Sequence, residues 1–130
     1  MQSMSKKSLL LLQVLEQINS ALLTVMQRFV PVTSVSVFTD TPEGTEKLDA
    51  ICMQLIAIGE SLKKVDKLTD KKLLTQYDNI DWTGAKGVRD IIAHHYFEID
   101  AEDIYEICSV HVGPMQKVIE QLVEQVQAQV

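Results

Sequence analysis

Leu11, Leu15, Ile18, Leu22, Val25 and Phe29 recur at alternating steps of three and four along the first part of the chain. That spacing keeps one face of a helix apolar, so it predicts a helix from about Lys6 to about Arg28, ended ahead of Pro31. A second seam, Leu48, Ile51, Leu55, Ile58, Leu62 and Val65, runs on a seven-residue repeat. Thr41 reads as its N-cap and Pro42 as its first helical residue. The seam ends near Lys67, where cations favour a helix C-terminus.

Between the two seams, Val32 to Asp40 is rich in Val, Thr and Ser. A lone strand would have nothing to pair with, so the segment reads as a loop. Lys71 to Asp78 predicts a short helical turn. Asp81 then caps a third helix from Trp82 to about Phe97. Asp100 caps a fourth, with Asp103 adding a negative charge in its first turn. Gly113-Pro114 either breaks or kinks that helix before a last apolar stripe of Met115, Ile119, Leu122 and Val126. Four or five amphipathic helices with short connections make an all-α, up-and-down bundle, with residues 1–130 as one domain.

Composition narrows the chemistry. Hydrophobic residues make up 46% of the 130 and aromatics 5%, so the core is aliphatic. Cys52 and Cys108 form no C-x-x-C pair and have no histidine at ligand spacing. They read as two small buried hydrophobes in a reducing cytosol, and no metal site or cofactor is expected. Lys6, Lys7 and the run Leu9–Leu12 faintly imitate a signal peptide. Gln13, Glu16, Gln17 and Asn19 interrupt that run too early for it to span a membrane, so the expectation is a cytoplasmic helix.

The formal charge of −6 argues against broad coating of nucleic acid, which depends on clustered cations. The charge is uneven, however. Lys63, Lys64, Lys67, Lys71, Lys72, Lys86 and Arg89 lie in one stretch with four aspartates, whereas Lys117 stands alone against eight carboxylates from Asp90 onward. The stretch is either a local basic lip or a solvated helix end.

That lip leads into Gly87-Val88-Arg89-Asp90-Ile91-Ile92-Ala93-His94-His95-Tyr96, which carries Arg, His and Tyr at the spacing R-x4-H-x-Y. An imidazole that titrates near neutrality, close to a permanent cation, is what metal-independent phosphodiester cleavage needs. On a straight helix Arg89 and Tyr96 lie about 20° apart, but Arg89 and His94 about 140° apart. Either the long Arg89 side chain wraps around, or a second chain completes the site, which makes a homodimer the expectation. Asp90 and His94, at i and i+4, share a face, so Asp90 can orient the imidazole. Glu60, between Ile58 and Leu62, reads either as a partner of Arg89 or Lys86 or as a solvent-facing carboxylate. His95 and His111 read as structural or surface residues.

These residues resemble the HepT-like branch of the HEPN superfamily over most of the chain. The Ile58-Gly59-Glu60 step, the Ile80-Asp81-Trp82 step, the motif itself and the run from Tyr96 to Asp100 carry the resemblance. It implies a metal-independent endoribonuclease toxin with RNA as substrate. By that resemblance Arg89 holds the scissile phosphate, and His94 serves as general acid or base. Tyr96 resembles the tyrosine that a partner minimal nucleotidyltransferase antitoxin, of the MntA type, modifies with adenylyl groups in type VII toxin–antitoxin pairs. Asp90 stands where close relatives usually carry Asn, which places a carboxylate beside the phosphate-binding cation. The alternative from another class is a non-catalytic HEPN dimer that binds nucleotide or substrate for a partner nucleotidyltransferase.

Overall fold

The computed structural model describes residues 5–94 and 100–129, with His94 described in its backbone only. Helices α1 (Lys6–Phe29) and α3 (Pro42–Leu68) follow the two apolar seams to within a residue or so of their expected ends. Ser5 caps α1 by accepting from the Ser8 amide, and Thr41 caps α3 by accepting from the Gly44 amide at 3.0 Å. Pro42 occupies the first turn, where an absent N–H leaves nothing unsatisfied.

The connection 30–41 differs from expectation. It holds a short helical turn, α2 (Ser36–Thr39), because Phe38 is fully buried and must be carried inward. Phe38 packs near the end of α1 through Phe29, with ring centroids 6.3 Å apart, and its carbonyl accepts from the Thr45 hydroxyl on α3. The end of one helix and the start of the next thus meet at one residue, so α3 runs back along α1. A Cβ on Gly44 would lie 1.8 Å from the Val37 carbonyl oxygen, so only glycine lets α2 sit this close.

The expected turn after α3 is a single 3₁₀ turn, Leu74–Gln76, that buries Leu74. Helix α4 (Trp82–His94) carries the motif. Its expected continuation to Phe97 lies outside the described residues. Beyond them, α5 (Ala101–Glu106) is capped by Asp100, whose carboxylate accepts from the Glu102 and Asp103 amides. A π-helical turn, Ile107–His111, joins α5 to α6 (Val112–Gln127), making one continuous rod. Gly113-Pro114 therefore does not break the helix. Pro114 has no N–H and crowds the carbonyl four residues earlier, and the wide π turn ahead of it takes up that misfit.

In space α1 is the hub, packing against α3 on one side and α6 on the other, whereas α4 packs against α3. Leu15, Ile18, Leu22 and Val25 of α1 are buried with Ile51, Leu62 and Val65 of α3 and Ile119 and Leu122 of α6. By length and composition alone α1 is apolar enough to cross a membrane; here its apolar seam forms the bundle core. Gln116, also buried, donates to Asn19 at 3.1 Å, which fixes the register of α6 on α1. The described residues are helices and connections with no strand.

Candidate functional site

The start of α4 is seated by three adjacent residues. Ile80 and Trp82 are buried, and Trp82 Nε1 donates to the Tyr77 carbonyl at 2.9 Å. Asp81 between them caps the helix, accepting from the Gly84 amide at 2.9 Å. Val88 and Ile92 then bury the face that meets α3.

Gly59 sets how closely the two helices approach. A Cβ there would stand 2.6 Å from the Ala85 carbonyl oxygen and 3.5 Å from Val88 Cγ1. With only hydrogen at that position, α4 lies against α3, and the next residue, Glu60, comes opposite Arg89. Arg89 Nη1 donates to Glu60 Oε1 at 3.0 Å, and Lys63 approaches the other carboxylate oxygen at 3.6 Å. The Arg89 hydrogen bond, reinforced by the nearby lysine charge, holds the Glu60 carboxyl below its usual range against a smaller opposing effect of desolvation.

Of the two partners open to Glu60, Arg89 is the one it meets. Lys86 instead reaches Asp66, a buried aspartate six residues further along α3. Asp66 was not anticipated. Its place four residues after Leu62 and seven after Gly59, on the stripe facing α4, is the signal that would have found it.

Arg89 remains open to solvent, with its side chain 62% exposed. A guanidinium carries five N–H donors, and the bond to Glu60 uses one, so most of the fork can meet an anion. Asp90 is exposed and makes no ion pair among the described residues, so the carboxylate on Arg89 comes from α3 and not from the adjacent position. His94 ends α4, one helical turn beyond Asp90, so the i, i+4 relation holds in the backbone. Tyr96 and His95 lie outside the described residues. His111 sits exposed in the π turn, away from Arg89 and on the far side of a groove described below.

Cys52 and Cys108 are free and buried. Burial pushes their thiols up to about 11 and about 12, with a smaller contribution from Asp49 at Cys52 and from Cys52 itself at Cys108. Both are therefore thiols and not thiolates at neutral pH, the state of packed side chains and not of nucleophiles. No group of three or more metal-ligating side chains occurs among the described residues.

The other side of α4 faces the rod across an apolar groove of about 400 Å³, floored by Leu22, Leu55 and Ile58. Ile91 on α4 and Val110 on the π turn form its rims, and both are about half exposed.

The profile of the family described as Ribonuclease HepT-like matches residues 12–122, a span that includes all of α3 and α4. The chain belongs to the HepT-like ribonuclease family. It is also 25% identical over 104 residues to a curated protein of Methanocaldococcus jannaschii named as an inferred RNase, a match that covers 80% of this chain and 83% of that one. No solved structure matches the chain significantly. Within the HepT-like frame, Gly59-Glu60 and Ile80-Asp81-Trp82 acquire a physical role. They place the motif helix and dock its arginine.

Proposed function

We propose that this HepT-like protein is a metal-independent endoribonuclease, and that Arg89 and His94 carry the reaction. The observation that carries the reading is an exposed guanidinium, anchored by Glu60, five residues before a histidine on the same helix. His94 takes the proton of the RNA 2′-hydroxyl, or returns one to the leaving 5′-oxygen. The 2′-oxygen attacks the adjacent phosphorus, giving a cyclic phosphate and a free 5′-hydroxyl. Arg89 supports the charge that gathers on the phosphoryl oxygens. Because the RNA supplies its own nucleophile, no metal takes part.

In the same proposal the working unit is a homodimer. On an ideal helix positions 89 and 94 lie about 140° apart, so one chain would leave a wall of the cleft open. Among the described residues helix α4 leans chiefly on α3 and leaves Ile91 half exposed within the motif, a face suited to meeting a second motif helix. The toxin role, with a nucleotidyltransferase antitoxin that adenylylates Tyr96, completes the proposal. Added phosphodiester charge near Arg89 would compete with RNA for the cation.

One set of assays on the purified protein tests this. Arg89→Ala and His94→Ala should each lower RNA cleavage by ~10²–10⁴ without loss of helicity, and wild-type cleavage should persist in excess chelator. Cleavage that needs added divalent metal would refute the mechanism, and a monomer by light scattering would refute the shared cleft. Co-expression with the cognate nucleotidyltransferase should add adenylyl mass to the Tyr96 peptide. Mass on Tyr77 or Tyr105 instead would exclude Tyr96 as the switch.

A further inference from the structure

Beside the Arg89–Glu60 pair, a second groove opens between the end of α3 and the outer side of α4. Lys63, Lys67 and Lys71 border it in a row that begins at Glu60. Lys71 lies in the turn past the helix end at Leu68, and on α3 the four-residue step from Lys63 to Lys67 advances the chain by about 6 Å. That distance is comparable to the separation of neighbouring phosphates on an extended strand. We propose that a single RNA strand leaving the Arg89 cleft lies along this row, with successive backbone phosphates on Lys63, Lys67 and Lys71. The proposal rests on the ribonuclease reading and adds to it where the strand runs and which residues hold it.

Three aspartates share the groove. Asp66 is occupied by Lys86 from the opposite wall. Lys63 also approaches Glu60 at 3.6 Å, and Asp70 and Asp90 remain against the three lysines of the row, so the local excess of positive charge is small. Binding through it is accordingly weak and steeply salt-dependent, which suits a strand that must leave after cleavage. After Arg89 the chain carries one further Lys or Arg, Lys117.

The backbone at the end of the row supplies a second observation. Asp70 and Lys71 adopt φ of 52° and 61°, the left-handed region that glycine occupies at most helix ends. Two consecutive side-chain-bearing residues there carry strain that a glycine would remove. Keeping Lys71 in that conformation leaves a cation at the mouth of the groove. Strained backbone of this kind clusters at ligand-binding positions.

The test uses a 2′-O-methyl RNA dodecamer, which cannot be cleaved because it lacks the attacking hydroxyl. Its binding to the full-length protein is followed by fluorescence anisotropy across a salt series. Combined Lys63→Gln, Lys67→Gln and Lys71→Gln should weaken binding roughly ten-fold at low salt and reduce the log–log salt slope by about 2, close to 0.7 per phosphate contact. A control with Lys47→Gln and Lys117→Gln should bind as wild type. Lys71→Gly alone should raise Tm while weakening binding, a combination that a purely structural lysine would not give.

An unchanged affinity in the triple variant, an equal loss in the control, or no binding by wild type would each overturn the strand path. The ribonuclease reading is judged separately by cleavage. Wild type that cleaves while the triple variant binds normally keeps that reading and removes the path. Wild type that binds through these lysines yet never cleaves does the reverse.

Discussion

Helices α1 and α4 are both amphipathic, yet the fold holds them in different ways. Helix α1 is gripped on two sides, by α3 and by α6, and four residues of its seam are at most 1% exposed. Among the described residues helix α4 packs chiefly on α3, with Val88 and Ile92 buried, Ile91 half exposed, and a groove on its other side. The candidate motif sits on the less enclosed helix. Outside its buried Val88–Ile92 face, such a helix keeps surface free for substrate or for a second chain. The ion pairs Arg89–Glu60 and Lys86–Asp66 then fix where that free helix points. This division predicts separable effects of mutation.

The largest effect belongs to α1. Leu15 is fully buried, and Leu15→Ala leaves a cavity that two neighbouring helices cannot easily close. It should cost about 2–5 kcal/mol in denaturant unfolding, with every helix melting together. Ile91→Ala on α4 removes a half-exposed side chain and should change stability little by the same measurement. Comparable losses at the two positions would break the distinction between hub and outrigger.

Gly59→Ala should act between these extremes. The added methyl meets the backbone of Ala85, which cannot swing aside, so α4 must lift from α3. Overpacking of this kind costs about 1–3 kcal/mol. Hydrogen exchange should show amides 85–92 losing protection while those of α1 and α6 keep theirs. RNA cleavage should fall as well, because Glu60 no longer meets Arg89. Uniform loss of protection would mean that α4 folds as part of the core.

How much of this could be read in advance follows from the same contrast. The seams of α1 and α3 were legible because each runs through many turns, and a long period survives local irregularity. The caps at Thr41, Asp81 and Asp100 were legible because a short polar side chain before an apolar stripe has one common use. Helix α2 was not, since its reason is one buried aromatic, Phe38, in a stretch that otherwise reads as irregular. The π turn was hidden because Pro114 signals trouble without saying how the backbone resolves it. At the site, the motif names Arg89, His94 and Tyr96, but the spacing of α4 on α3 depends on an absent side chain at Gly59, which leaves no periodic signature. Asp66 was masked by the lysines around it, although its helical position pairs it with Lys86.

The smallest effect on stability, and the sharpest on function, belongs to Glu60. Arg89's hydrogen bond lowers its carboxyl pKa in the fold below the ordinary 4.5. A depressed carboxylate contributes stability that is present above the unfolded value and lost as pH falls through the folded one, so the pair should be intact at neutral pH and release only on the acid side. Because both partners face solvent, that contribution is slight, and Glu60→Gln should unfold within error of wild type. Its consequence lies elsewhere. An unanchored guanidinium samples many rotamers, and a misplaced phosphate ligand lowers the rate roughly ten- to a hundred-fold. The expected signature is a fall in kcat for RNA cleavage, smaller than that of Arg89→Ala, with helix content and Tm unchanged. Combining Glu60→Gln with Arg89→Ala should add nothing further, because the carboxylate acts through the arginine. Additive losses would show that Glu60 meets the substrate by another route.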